Sequence, residues 1–344
     1  MPAPDTARLD SPLARGRAPD PLFADNSVLA VRLEGPLRAL ARDSDEKPEE
    51  RPALLSWRDA NGEDASLEIE IRPRGKSRRR REVCQFPPIR LDIPRSRAEG
   101  TLFENQDKLK LVTHCVGLGS RSRKAPDWVA LEFLAYRILN LVTDYSFRVR
   151  PLSVTYVDEK GRDNVHPAFI IEADDRLAVR LGLERSELPT VAAAAFAENI
   201  APVMELFEYL IGNTDFSFVS GPPDEACCHN AVQFTNGTRF TPIPYDFDLT
   251  GLVDKPDALP ADGLGLRKVT QRRFRGFCRD AATLERAIDL FVARRAAIEA
   301  EIAAPLLPLS ARGRRHAQRF VEGFYATVLD PEAVARNISG RCRG

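Results

Sequence analysis

Two short apolar runs, Ala231–Thr235 and Arg239–Ile243, flank the dipeptide Asn236-Gly237. Asn-Gly between two such runs is the strongest local signal for a tight hairpin, because both turn residues take positive φ. No other feature constrains the fold as much, since a hairpin forces its two open ends together. Asn230, just before the first run, must lie near Asp246, just past the second. A helix-like stretch also stops at Gly212 and leads straight into Asn213-Thr214-Asp215. Asp215 stands at the mouth of the loop that reaches Asn230, so it is the natural third member of the group.

Two carboxylates and an amide on loops are hard oxygen donors, suited to Mg²⁺ or Mn²⁺. The order helix, Asp, Asn, hairpin, Asp is also the layout of a phosphoryl-transfer site. There one Asp orients the attacking hydroxyl, while the Asn and the later Asp hold metal against nucleotide phosphates. The bland alternative is that Asp215 caps a turn and that Asp246 and Asp248 lie in a solvated loop.

The first half offers what such a site still needs. In Lys108–His114 the strand period puts Lys108 and Lys110 on one face, and Leu109 and Leu111 on the other. A strand lysine facing a cleft can neutralise phosphates. Glu132 sits in a helical run among Trp128, Val129, Ala135, Tyr136 and Leu139, so its carboxylate is half buried and wants a cation. Lys110 could supply it, as in the strand-Lys to helix-Glu pair of kinases; the alternative is a rim Glu that meets Arg137 or solvent. The basic run Arg72–Arg81 contains Gly75, and its Arg74 and Lys76 could cover phosphates. Such runs are more often solvated faces.

Along the chain, residues 1–24 are rich in Pro, Ala, Arg and Asp without periodicity and read as a disordered arm. Residues 42–52 read as a charged surface loop. Strand-like runs are Ser27–Leu33, Leu67–Arg72, Ile89–Ile93, Lys108–His114, Phe147–Val157 and Val165–Glu172. A single helix, from Asp127 to about Val142, interrupts them. A more helical half follows: Thr190–Ile211 with Pro202 as a kink, Asp280–Ile302 and Ala311–Leu329.

With 50 Lys+Arg against 50 Asp+Glu the charge balances, which argues against a dedicated nucleic-acid binder. No apolar run approaches the roughly 20 residues of a membrane helix. The start, Met1 to Asp5, lacks the plan of a signal peptide, so nothing in it directs export. The six cysteines include no C-x-x-C and read as buried thiols, although Cys84 and Cys115 could be bridged in an oxidising compartment. There is no G-x-S-x-G, H-E-x-x-H or P-loop, and His114 and His229 read as packed rather than catalytic.

Asn213-Thr214-Asp215, His229-Asn230 and Ile243–Gly251 (IPYDFDLTG) together resemble the spore-coat CotH-type kinase family and its relatives in Gram-negative bacteria. Arg74–Ser77, Lys108–Cys115, Glu132–Tyr136, Ser146–Arg150 and Phe169–Glu172 support the likeness, which spans residues 27–300. The resemblance implies an α+β, atypical protein-kinase-like, two-lobed fold. It implies Mg²⁺- or Mn²⁺-dependent phosphorylation of protein Ser/Thr by ATP. Asp215 would be the catalytic Asp, Asn230 and Asp246 metal ligands, and Asp248 a second acid nearby. Residues 25–172 would form a strand-rich lobe and 177–335 a helical one. The hinge, 173–176 with Glu172 at its head, would meet adenine through its backbone. Two departures stand out: the loop from Asp215 to Asn230 is long, and the phosphate-covering loop is Arg-rich rather than Gly-rich. They keep a rival open, a kinase-shaped module that binds nucleotide or protein without catalysis.

Overall fold

A computed structural model describes residues 20–75, 77–117, 127–223 and 226–344. Its first half is a closed barrel. β1 (Leu29–Glu34), β2 (Arg51–Arg58), β3 (Asp64–Pro73), β4 (Ile89–Asp92) and β5 (Lys108–Val112) follow one another around it. β7 (Asp163–Ile171) and β6 (Val149–Val157) complete the circuit. Neighbours are antiparallel except at the closure, where β1 runs parallel to β6 in the register Leu29 to Leu152 through Glu34 to Val157.

β3 shows why the barrel has an inside. Leu67, Ile69 and Ile71 are buried, while Glu68 and Glu70 face water, the two-residue period of a strand with one wet face. Phe86, Phe103 and Tyr156 fill the interior with them. The short helical turns α1 (Pro21–Ala24), α2 (Leu37–Leu40) and α3 (Arg95–Ala98) add Leu22, Phe23, Leu37, Leu40 and Ala98 to this core.

This architecture overturns the two-lobed, kinase-like α+β expectation. The chain forms a closed mixed seven-stranded barrel with helices beside it, not an open strand-rich lobe hinged to a helical one. Two features account for the difference. β2 occupies a stretch whose start reads as a charged loop, with Leu55 and Trp57 turned inward. The parallel β1–β6 pairing then consumes what would have been the free edges of an open sheet.

Outside the barrel, α4 (Trp128–Val142) packs between β6, β7 and the long helix α7 (Ala281–Ala303). α5 (Asp174–Leu181), α6 (Ala201–Ile211), α8 (Ala311–Val328) and α9 (Pro331–Asn337) complete the helices. A small sheet of β8 (Glu184–Arg185), β9 (Ala231–Thr235) and β10 (Phe240–Pro244) joins them. These elements share a second core, in which Phe207, Phe291, Phe324 and Tyr325 meet Phe147 and Phe169 from the barrel strands and their approach.

Other expectations change as well. The helix expected over Thr190–Ile211 begins only at Ala201; Pro202 lies in its first turn, where the missing N–H is harmless, and so starts the helix rather than kinking it. The end of the N-terminal arm is packed, with Leu22 and Phe23 buried and Asp20 bonded to Arg176; residues 1–19 lie outside the described residues. The cysteines are not thiols: Cys84 is bonded to Cys115, Cys227 to Cys228 and Cys278 to Cys342. No helix among the described residues is long and apolar enough to cross a membrane.

Candidate functional site

Two glycines bring the key stretches together. Gly212 ends α6 at φ +66°, and a Cβ there would stand 2.8 Å from the Phe320 ring. A Cβ on Gly251 would stand 2.7 Å from the same ring. With no side chains between them, the Gly251 amide donates to the Gly212 carbonyl (3.3 Å) and the Leu252 amide to that of Ile211 (3.0 Å). Asn213–Asp215 and Asp246–Gly251 therefore run side by side.

Asp215 is the hub of the loop. Its Oδ1 lies 2.8 Å from His229 Nε2, and its Oδ2 accepts from Asn230 Nδ2 at 3.2 Å. Asn230 Nδ2 also donates to the Asp215 carbonyl at 2.6 Å. The His229 bond holds the Asp215 carboxyl below its ordinary range, and the same bond raises the His229 imidazole. Both side chains remain about two-fifths exposed. Arg275 clamps the loop from behind by donating to the carbonyls of Thr214 and Phe216.

The hairpin forms where its sequence predicts, through a four-residue loop in which Gly237 but not Asn236 takes positive φ. Asn230 and Asp246 flank it, both at positive φ, and the Tyr245 amide donates to the Asn230 carbonyl at 3.0 Å. The amide of Asp246 donates to the Tyr136 hydroxyl at 2.9 Å, which fastens the loop to α4. Asp248 is buried and meets Lys255 Nζ at 2.9 Å. Arg78 spans the two acids, its Nη2 bonded to both Asp246 and Asp248. Against its burial, Arg78, Arg74 and Lys110 hold the Asp246 carboxyl below its ordinary range.

Lys110 does not meet Glu132. Its Nζ lies 2.9 Å from Asp174, the first residue of α5, and over the rings of Tyr245 (5.0 Å) and Phe147 (5.7 Å). Glu132 instead sits fully buried beside Arg78 and Asp248, and that burial pushes its carboxyl up to about 8. Arg137 is taken by Glu301 at 3.1 Å.

The stretch expected to form the hinge is not an open linker. The Glu172 amide is spent on the Arg148 carbonyl at 2.9 Å, and its carboxylate is held by Arg180 at 2.8 Å. Residues 174–176 already belong to α5 rather than to an extended linker. Arg74 lies near enough to Lys110 and Asp246 to perturb both. Lys76 lies outside the described residues.

The metal expected at Asn230, Asp246 and Asp248 does not fit this arrangement. Among the described residues no three His, Cys, Asp or Glu side chains are grouped to hold an ion. Both Asp246 and Asp248 give Oδ1 to Arg78. A cavity of only about 20 Å³ remains among Arg78, Glu132, Asp248 and Lys255, room for about one water.

Arg78, Tyr136, Asp174, Lys255 and Arg275 escape the sequence reading. Arg78 lies in the basic run that the sequence marks, but nothing local distinguishes it from its neighbours. Neither family models nor curated proteins match the chain.

Proposed function

We propose that the chain transfers the terminal phosphoryl group of a nucleoside triphosphate, ATP in the first instance, to a protein Ser/Thr hydroxyl. One observation carries this reading: Asp215 is half exposed and held between His229 and Asn230, on a loop whose neighbour Asp246 is ringed by Arg74, Arg78 and Lys110. A hydroxyl at the Asp215–His229 pair would give up its proton late in transfer, to a base already in position. The cations alongside suit the charge on transferring phosphates. Asp215 fixes the imidazole, so His229 shares the role that the sequence assigns to Asp215 alone. Because a divalent ion does not fit with Arg78 in place, no step here runs through one.

The test is self-labelling by γ-labelled ATP, with Mg²⁺ or Mn²⁺ supplied, in the native chain and in Asp215→Ala. Labelling that disappears in the variant supports transfer. Equal labelling in both removes Asp215 from the reaction.

A second reading is favoured by Arg78, whose double contact neutralises the acids a kinase would keep for metal. In it the chain binds a nucleotide or a protein without catalysis. Binding of ATP with no transfer under any metal would establish it.

A further inference from the structure

The loop between β3 and β4 delivers Arg78 to the pair of acids that the hairpin and its exit present. The loop is anchored at both ends. The Arg74 amide donates to the Pro88 carbonyl (2.8 Å), the Gln85 amide to the Cys115 carbonyl (3.0 Å), and Cys84 is bonded to Cys115. Arg78 itself is 13 % exposed, and Asp248 is 8 % exposed. The far oxygen of Asp248 is held by Lys255, whose own side chain is 5 % exposed. Two largely buried cations therefore face Asp248 and the one-third-exposed Asp246, with the buried Glu132 beside them.

A small dication needs several oxygens at about 2.0–2.1 Å around one point. The Oδ1 atoms of Asp246 and Asp248 converge on Arg78 Nη2, which stands at that point. Adding a dication there without removing Arg78 would place two like-charged cations on the same pair of carboxylate oxygens in a largely buried site, which is costly even with Glu132 alongside. A guanidinium cannot escape by losing a proton, so it stays charged at any working pH.

We infer that Arg78 is the resident cation of the Asp246–Asp248 pair, and that Arg78 and a divalent metal ion exclude one another there. The site is a guanidinium–dicarboxylate centre, and the loop carrying Arg78 decides whether hard divalent ions can use these acids. This inference stands on the ion pairs alone and does not depend on phosphoryl transfer.

The test is a titration of the purified chain with Mn²⁺ alone, read by the loss of the free-ion paramagnetic resonance signal. The native chain is expected to show no saturable site at Mn²⁺ concentrations up to about a millimolar. Arg78→Gln, which keeps a polar but shorter side chain and no charge, is expected to bind at least tenfold more tightly. Arg78→Gln combined with Asp246→Asn should return to the native behaviour. Circular dichroism checks each fold. Should Arg78→Gln not fold, Arg78→Met makes the same comparison, since it too removes the charge while keeping an unbranched side chain. Saturable native binding that Asp246→Asn abolishes would overturn the inference outright. A variant that folds but binds Mn²⁺ no better than the native chain would overturn it too.

Discussion

The imidazole Nε2 of His229 lies 2.8 Å from Oδ1 of Asp215, and the other carboxylate oxygen is held by Asn230 at 3.2 Å. Asp215 thus has both oxygens engaged, and the free nitrogen of His229 is the more available proton acceptor. Asp215→Ala is expected to lower phosphoryl transfer by about 10²–10⁴-fold. Nucleotide affinity should change only several-fold, because the cations lie on other elements. His229→Gln should show a similar loss. The native rate should fall with acidity through a pH above the ordinary imidazole value, since the bond to Asp215 raises His229. A rate that holds steady as His229 is protonated would remove the imidazole from proton transfer.

Lys110 and Glu132 should behave independently. Lys110 is bonded to Asp174 at 2.9 Å, while Glu132 faces Arg78. In urea unfolding, a cycle of Lys110→Met and Glu132→Gln should be additive within about 0.5 kcal/mol. The cycle of Lys110→Met with Asp174→Asn should show coupling of about 1 kcal/mol or more. The reverse pattern would restore the strand-to-helix pair.

Gly251→Ala should destabilise the fold by about 1–3 kcal/mol, as other overpacked sites do. Its methyl would stand 2.7 Å from both the Phe320 ring and the Val269 carbonyl. Phe320→Leu in the same chain should recover part of the loss, measured by thermal melts. No recovery would point to the Val269 carbonyl as the obstacle instead.

Two buried groups set opposite limbs of the stability–pH curve. Burial raises the Glu208 carboxyl from 4.5 to about 8, so the stability it contributes is present below pH 4.5 and is lost as pH rises through about 8. Glu208→Gln should remove that loss, gaining on the order of 3 kcal/mol at pH 9. Burial, followed by the neighbouring His166, holds His114 well below its ordinary 6.5. Its contribution is therefore lost as pH falls below 6.5 towards the folded value, and His114→Phe should flatten the acid limb. Urea titrations from pH 4 to 9 (roughly the span of both groups) decide both. Unchanged limbs would mean that neither group's pKa differs between the folded and unfolded states.

Reducing Cys278–Cys342 should lower stability, by at most about 4 kcal/mol for a bridge across this separation in the chain-entropy view. The loss should equal that of Cys278→Ser with Cys342→Ser, compared by urea midpoint. Equal midpoints with and without the bridge would show that the C-terminal residues are held by packing alone.

What could be read from the residues was local. The hairpin around Asn236-Gly237 and the stop at Gly212 each follow from a few neighbours, and each stands where expected. Lys110 leaves its strand on the face away from Leu109 and Leu111, as the strand period requires, but meets Asp174 rather than Glu132. β2 hid because Arg51-Pro52 looks like the end of a charged loop, and only Leu55 and Trp57 carry its alternation. The partner of Arg78 lies 168 residues away, and no period or spacing encodes such a meeting. The parallel β1–β6 pairing is non-local in the same way, and with it went the expected lobes. Of the cysteine pairs the sequence raises only Cys84–Cys115, and six cysteines allow too many pairings for the other two to be read from it.

That parallel closure also imposes an order in time. When β1 leaves the ribosome its outer edge has no partner, and the strand that will cover it, with Leu152 opposite Leu29, is still more than a hundred residues from being made. Until β6 and β7 arrive, the nascent chain carries a growing antiparallel meander with two bare edges, on β1 and on β5, the kind of surface that other chains can add to. The barrel can therefore close only once β6 and β7 have both been made.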